Sequence, residues 1–218
     1  APARIDGMDV TVSFVDNLYS RGRGPAHIMF GDRQACTINS YAFYKSPVET
    51  IHFKRVVTIQ AGAFSHCFRL RQVLFGDGLT EIPPHAFAKC TSLRTVTLPR
   101  SLETLADYAF AHCTHLEQVK FPSSMKSIGC AFAHCAALQV ANVPEGVSTI
   151  VHHAFVGCEL LKSVSLPTTC KTIEACAFID CERLIVIAIH SRRLVLSPFA
   201  FVDCPLLREL TLPEDTSP

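Results

Sequence analysis

Cysteine and histidine are the residues of this sequence whose side chains could build a chemical site. Eleven cysteines and ten histidines occur in 218 residues, and they are adjacent at His66-Cys67, His112-Cys113 and His134-Cys135. Zinc favours thiolate and imidazole ligands, whereas cysteines in an oxidising compartment form disulfides. No two cysteines are separated by two residues, as in most zinc sites, and the cysteine count is odd. We therefore predict reduced thiols and no metal, with disulfides or a zinc ion as alternatives.

Most of the cysteines belong to an internal repeat. The dipeptide Ala-Phe recurs at intervals of 21, 23, 23, 22, 23, 23 and 23 residues, with its phenylalanines at Phe43, Phe64, Phe87, Phe110, Phe132, Phe155, Phe178 and Phe201. Three residues later stands Ser46 in the first repeat and cysteine in the others: Cys67, Cys90, Cys113, Cys135, Cys158, Cys181 and Cys204. Cys36, Cys130, Cys170 and Cys176 lie outside this position. Because cysteine is often buried as a small hydrophobic residue, we expect it to face inward here and the adjacent histidine to face outward.

The rest of the repeat is an apolar frame around Ala-Phe. An aliphatic residue precedes the phenylalanine by five positions, except Ile128, which precedes it by four, and leucine follows it by six. The segment LRTVTLP (93–99) alternates apolar and polar residues and ends in proline, which predicts a short strand with one buried face. In PHAFAKCTSL (84–93) the apolar residues are three apart, which predicts a tight helical or 3₁₀ turn.

One such repeat cannot bury its apolar stripe alone, so the copies must stack with their phenylalanines in one column. The frame I-x4-AF-x2-C-x2-L-x2-V-x-LP resembles the BspA-like leucine-rich repeats over residues 35–213. The resemblance implies an α/β repeat solenoid, right-handed and curved, with short parallel strands on the concave face and helical or 3₁₀ turns on the convex face. Residues 1–34 are expected to form an N-terminal cap and residues 214–218 a tail.

Composition and motifs favour a binding protein over an enzyme. The net charge is +1, which gives no electrostatic surface for nucleic acid. The longest aliphatic run is residues 184–189, far short of the ~20 residues that span a membrane. No phosphate loop, dinucleotide fingerprint or hydrolase elbow occurs, and His152-His153 repeats the position of His85. We expect no catalytic residues, no cofactor, no nucleic acid and no membrane insertion.

A solenoid binds its partners with its exposed wall. The outward positions of the predicted strands are small, polar and nearly uncharged, and we predict that a protein partner contacts them: Gln72, Leu74, Thr95, Thr97, Gln118, Lys120, Val140, Asn142, Ser163, Ser165, Val186, Ala188 and Glu209 with Thr211. The segment LIVIAIHSRRLVL (184–196) breaks the pattern with Val186, Ala188, Arg192 and Arg193. It is either a drifted repeat or a contact patch.

Two functions remain open at this point. Many unpaired cysteines favour an interaction scaffold in a reducing cell interior. The family resemblance suggests instead a cell-surface adhesin ectodomain of bacterial or protozoan parasite type. No polar closing repeat follows Leu212, so end-to-end self-association through the C-terminal repeat is a further expectation.

Overall fold

The chain folds into a stack of parallel β-coils. The structure is a computed structural model that describes residues 3–5, 11–12, 24–30, 36–54 and 57–211. Main strands of three or four residues are β1 (Ala3–Ile5), β3 (His27–Phe30), β5 (Thr50–Phe53), β7 (Gln72–Leu74), β9 (Thr95–Thr97), β11 (Gln118–Lys120), β13 (Val140–Asn142), β15 (Ser163–Leu166), β17 (Val186–Ile189) and β19 (Glu209–Thr211). Short strands of two or three residues alternate with them: β2 (Thr11–Val12), β4 (Cys36–Ile38), β6 (Val57–Ile59), β8 (Glu81–Ile82), β10 (Thr104–Leu105), β12 (Ser127–Ile128), β14 (Thr149–Ile150), β16 (Thr172–Ile173) and β18 (Val195–Leu196).

Each coil comprises a main strand, a short strand and an Ala-Phe turn. Strands of successive coils pair in parallel, with β1-β3-β5-β7-β9-β11 and β13-β15-β17-β19 as the main sheets. The short strands form three further parallel sheets, β2-β4-β6, β8-β10-β12 and β14-β16-β18. Pairs such as Thr104 with Ser127 and Thr149 with Thr172 are one repeat apart, so the sequence period sets the strand register. The predicted parallel-strand solenoid is confirmed.

Alternation of apolar and polar residues places the core inside the coils. In β9 the Val96 side chain is buried while Thr95 and Thr97 on either side are exposed. The Ala-Phe phenylalanines form a continuous column, in which neighbouring rings stack at centroid distances of 5.0 to 6.0 Å. Seven of the eight rings are fully buried, and Phe201 at the end is partly buried. The predicted phenylalanine stacking is therefore confirmed.

The Ala-Phe turns form a second hydrogen-bonded wall, which we call the turn wall. In the third repeat the amides of His85, Phe87 and Lys89 donate to carbonyls of the next coil at 2.8–3.2 Å. The amides of the alternate residues, such as Ala88 and Cys90, donate to the carbonyl three residues earlier within the same turn. Alternate amides therefore link coils and close turns, which keeps both kinds of backbone group paired.

The prediction of helical or 3₁₀ turns is wrong, and the fold is a β-solenoid rather than an α/β one. The described residues contain no helix. Left-handed backbone two residues before and two residues after the phenylalanine prevents one: φ is 56° at His85 and 59° at Lys89. A helix needs successive right-handed residues, whereas these turns reverse hand twice within five residues. The spacing of three between Phe87, Cys90 and Leu93 reflects inward-facing turn positions instead.

The cysteines of the repeat connect each coil to the preceding one. Their thiols donate to the phenylalanine carbonyl of that coil at 3.0–3.4 Å, as Cys113 Sγ does to Phe87 O at 3.2 Å. Burial raises the pKa of Cys113 and of Cys158 to about 12, because the thiolate would lose its hydration. The ten cysteines whose side chains the structure describes are all free thiols. The sulfur atoms at the seven repeat positions are therefore packing groups, each with a hydrogen bond along the column.

One junction in the stack is weaker than its neighbours. Both sheet systems are interrupted between the same two coils, at β11–β13 and at β12–β14. The interruption follows the repeat in which Ile128 stands only four residues before its phenylalanine. Among the described residues, few backbone bonds cross it, such as Gln139 N to Glu117 O at 3.3 Å and His134 N to Val156 O at 2.6 Å. A one-residue deletion in the repeat therefore accompanies the local loss of strand pairing.

The expected N-terminal cap lies largely outside the described residues, as does the tail at 214–218. Within the cap region, β1 pairs with β3 and β2 pairs with β4 in parallel. The segment HIMF (27–30) forms β3, with Ile28 and Phe30 buried. The division into cap, solenoid and tail stays a prediction.

Candidate functional site

The predicted contact residues lie together on the exposed face of the main strands, which we call the strand wall. Register places them in two files along the stack, fixed within β7–β11 and within β13–β19, two sets of strands that do not pair with each other. One file contains Thr95, Gln118, Val140, Ser163, Val186 and Glu209, and the other Leu74, Thr97, Lys120, Asn142, Ser165, Ala188 and Thr211. Gln72 lies opposite Thr50 at the start of the first file. The structure therefore brings these side chains onto one surface, and their binding role stays a prediction.

The arginine pair of the irregular segment lies off this wall. Arg192 and Arg193 are exposed in the bend between β17 and β18, after the strand has ended. Val186 and Ala188 stay on the wall and are half-buried between neighbouring strands. The four residues thus do not form one contiguous patch on the strand wall.

The three His-Cys pairs divide as their positions in the repeat predict. Cys67, Cys113 and Cys135 are fully buried, whereas His112 and His134 are exposed and His66 is half-exposed. The described residues contain no group of three or more histidine, cysteine, aspartate or glutamate side chains placed to hold a metal ion. The geometry of the pairs separates the imidazole from the thiol instead of joining them in one site.

A groove of about 780 Å³ runs along the turn wall across the first four Ala-Phe turns. One side consists of Tyr41, His85 and Tyr108, which stand two residues before the phenylalanines. The opposite side consists of His66, Lys89 and His112, two residues after them. Both positions have left-handed backbone, which directs their side chains outward while the phenylalanine between them points into the core.

The groove exists because one column of residues is small. The position directly after the phenylalanine is Ser65, Ala88 and Ala111 in the second to fourth repeats, and all three are nearly inaccessible. In the first repeat the same position is Tyr44, whose ring closes that end and contacts the His66 ring at a centroid distance of 4.8 Å. The size change from tyrosine to serine and alanine therefore sets where the groove starts.

Rings along the groove are held in place by contacts between coils. His85 stacks on Tyr108 at 5.1 Å with an interplanar angle of 8°, and His112 stacks on His134 at 4.6 Å. The Tyr41 ring lies over Gly62, where a Cβ atom would be 2.3 Å from a ring carbon. A side chain at position 62 would displace that ring from its present place.

The groove is electrostatically positive. Its described lining residues include Lys89 and three histidines but no carboxylate. The pKa of His66 is below its ordinary 6.5 because the ring is partly buried and because Lys89, Lys45 and His112 oppose a further charge. The pKa of His112 is lowered by partial burial, by His134 and by Lys89. The His66 and His112 imidazoles are therefore mainly neutral at pH 7, and lysine supplies the fixed charge.

Sequence analysis missed this groove. Its residues come from four repeats and lie in columns that the repeat frame leaves variable. The available signal was the composition of the column two residues after the phenylalanine, which is Lys45, His66, Lys89, His112 and His134 in the first five repeats and then Gly157, Asp180 and Asp203. Comparing repeats column by column would have shown this change from basic to acidic residues.

Comparison with known proteins settles the family. The model of the BspA-type leucine-rich repeat region matches six copies in this chain, over residues 36–130 and 129–217. The chain belongs to the BspA-type leucine-rich repeat family. The resemblance carried by the Ala-Phe, cysteine and leucine positions is thereby confirmed. No curated protein sequence matches this family member.

Several solved structures share the solenoid of this BspA-type chain. The T. pallidum leucine-rich repeat protein TpLRR is 28% identical with a TM-score of 0.67, over 80% of this chain and 78% of that one. A leucine-rich cell surface protein of Faecalibacterium prausnitzii is 22% identical with a TM-score of 0.55, over 88% and 55%. The pneumococcal vaccine antigen PcpA is 21% identical with a TM-score of 0.52, over 89% and 58%. The last two show the fold alone, and the chain spans little more than half their length.

The described residues contain no helix that could span a lipid bilayer.

Proposed function

We propose that the chain is a non-enzymatic recognition module that binds a protein partner through its strand wall. The observation that carries this proposal is the pair of side-chain files on parallel strands, which lie in one sheet from β7 to β11 and in another from β13 to β19. Register fixes pairs such as Thr97 with Lys120 and Asn142 with Ser165, so the donors and acceptors recur at the strand spacing of ~4.8 Å. A partner would bind a preorganised surface, so binding would cost little conformational entropy on this side of the interface.

The chemistry of the strand wall suits protein recognition. Hydroxyl and amide side chains both donate and accept hydrogen bonds, and Leu74 and Val140 add exposed apolar contacts. The described part of the wall has few charges, so specificity would come from shape and hydrogen bonding. The non-enzymatic role rests on the absence of a nucleophile–base arrangement among the repeat positions and on the structural role of each described thiol of the cysteine column.

A site-specific photocrosslinker tests the proposal. It would replace Gln118 on the strand wall, and in a matched control Lys126, which is also exposed but precedes short strand β12. After irradiation in the native cell, we expect a defined covalent adduct from position 118 and none from position 126. Adducts from both positions, or from position 126 alone, would refute strand-wall binding.

A second function, a cell-surface adhesin ectodomain, is supported by the neighbours. One of them is named a leucine-rich cell surface protein, although it shares only the fold with this chain. The free thiols of the described cysteines favour the interior of a cell instead. Protease treatment of intact native cells separates the two: an adhesin is digested, whereas an internal scaffold survives until the cells are lysed.

End-to-end self-association through the C-terminal repeat stays a prediction. In the described part of this repeat, Val195 and Leu196 of β18 and Phe199 are exposed. Sedimentation velocity over a concentration series would show dimers that the Leu196→Lys variant abolishes. A monomer at all concentrations would contradict the prediction.

A further inference from the structure

We propose that the groove on the turn wall binds an acidic oligosaccharide, a chain of sugar rings that carries carboxylate or sulfate groups. This site is separate from the strand wall and does not depend on the function proposed for it. The groove is open along the stack and crosses four turns, which at ~4.8 Å per coil gives a length of roughly 15 Å. A linear ligand of a few sugar units matches that shape.

Charge selects an anion. Lys89 lines the groove, and the Lys45 amine lies beside its closed end, 5.1 Å from the centroid of the Tyr44 ring. None of the described lining residues is acidic. The column that contains Lys89 and His112 becomes acidic only at Asp180 and Asp203. These two residues belong to the last two repeats and lie beyond the groove. A negative ligand would therefore meet the charge of Lys89 in the groove, while the Asp107 carboxylate next to Tyr108 does not line the groove and accepts the Cys130 amide at 3.1 Å.

Aromatic faces select sugar rings. Tyr41 and Tyr108 keep 47% and 37% of their surface exposed. The stacking of His85 on Tyr108 fixes that ring, and Gly62 leaves the space in which the Tyr41 ring lies. The flat apolar face of a pyranose packs against such rings, while the phenolic hydroxyls can donate to its oxygens. Exposed, immobilised rings with cations beside them provide both interactions in one groove.

Backbone pairing disfavours an acidic peptide in the same place. The carbonyls of Ser65, Ala88 and Ala111 on the groove floor accept the amides of Lys45, His66 and Lys89 from the preceding coils at 2.7–3.1 Å. An extended peptide usually gains affinity from main-chain hydrogen bonds to an open strand edge, and this floor offers no such edge. An oligosaccharide needs only side-chain donors and ring faces, which are what the groove presents.

The left-handed backbone of the groove residues is a feature of the whole repeat. Tyr41, His66, Lys89, Tyr108 and His112 have φ between 57° and 62°, a conformation that glycine adopts at lower cost. Glycine does occupy these two columns at Gly62 and Gly157. Non-glycine residues with the same backbone also occupy these columns outside the groove, at His153, Asp180 and Asp203, so the strain belongs to the repeat and does not single out the groove.

Isothermal titration calorimetry on the full chain tests the proposal with three probes. These are a heparin-derived hexasaccharide, a hyaluronan hexasaccharide and the uncharged cellohexaose. We expect saturable one-to-one binding of at least one acidic probe, weakened by added salt, and none of cellohexaose. The Lys89→Gly variant should bind about tenfold more weakly, the loss expected for one charge-assisted hydrogen bond. Glycine suits the local φ, so this variant keeps its fold.

Control variants separate the groove from general charge. Lys171→Gln removes an exposed lysine outside the groove, and Lys89→Gln removes the same charge inside it. We expect affinity within twofold of the parent for the first and the tenfold loss for the second, with Tyr108→Gly also weakened. Equal losses for both lysines would overturn the proposal. Tighter binding of cellohexaose or of a glutamate-rich decapeptide would do so too, as would dimerisation that occupies the groove and depends on Asp180.

Discussion

Replacing Phe110 by alanine would remove a central ring from the phenylalanine column. The side chain is fully buried between Phe87 and Phe132, at centroid distances of 5.4 and 6.0 Å. The backbone cannot close the gap, because the Phe110 amide is bonded to Ala131 O of the next coil at 2.9 Å. Emptying a buried phenylalanine site costs ~3–5 kcal/mol of unfolding free energy, and we expect this range here.

Urea unfolding followed by far-ultraviolet circular dichroism measures this loss. Because coils contact only their neighbours, the variant should also unfold less cooperatively, which lowers the slope of the transition. Phe201→Ala is the matched control, since that ring is partly buried and lies at the end of the column against Phe178. Its cost should be about 1–2 kcal/mol. A loss below about 1 kcal/mol for Phe110→Ala, or equal losses for the two variants, would refute the buried column.

Three further predictions concern the turn wall and the thiols. In Ellman assays the buried thiols of the native protein should react slowly at pH 8, because the pKa of Cys113 and of Cys158 is raised to about 12, and the denatured, unreduced chain should show eleven thiols. Only the partly buried Cys176 and Cys204 among the thiols seen in the structure are expected to react fast, and fast labelling of Cys113 or Cys158 would contradict their burial. Lys89→Gly should leave the unfolding free energy unchanged or raise it by up to ~1 kcal/mol, since left-handed strain is relieved, and a measured loss would show that the lysine stabilises the fold. The folded-state pKa of His66 and of His112 lies below the unfolded value of 6.5. The free energy of unfolding should therefore be highest above pH 6.5 and should fall as the pH drops below it. The double variant His66→Gln, His112→Gln should show a smaller fall in unfolding curves measured between pH 7 and 5.

Much of the fold could be predicted from the sequence because the core is periodic. Each Ala-Phe phenylalanine occupies the same environment in its coil. The regular spacing of Phe87 and Phe110 in the sequence therefore predicts that their rings stack on each other. The alternation around Val96 likewise defines which face of β9 is buried. The same positions are buried in each repeat, and they are occupied by the same residue types.

The turn conformation and the groove could not be predicted in the same way. Left-handed backbone is usually signalled by glycine or asparagine, and His85, Lys89 and Tyr108 give no such signal. The ladder between coils imposes that conformation, which is a tertiary effect. The groove depends on a size difference between Tyr44 and Ala88 in repeats that become neighbours only after folding. Single-repeat patterns do not contain this relation.

The interruption between β11 and β13 has a mechanical consequence. Between β6 and β8 only the short-strand sheet is interrupted, whereas here both sheets are, and the load passes mainly through the turn wall and the stacked rings of Phe132 and Phe155. Under tension along the axis, the stack should part at this point first and yield two stiff segments joined by the intact chain. For a partner bound to both segments, the solenoid would then act as a flexible connection and not as a rigid rod.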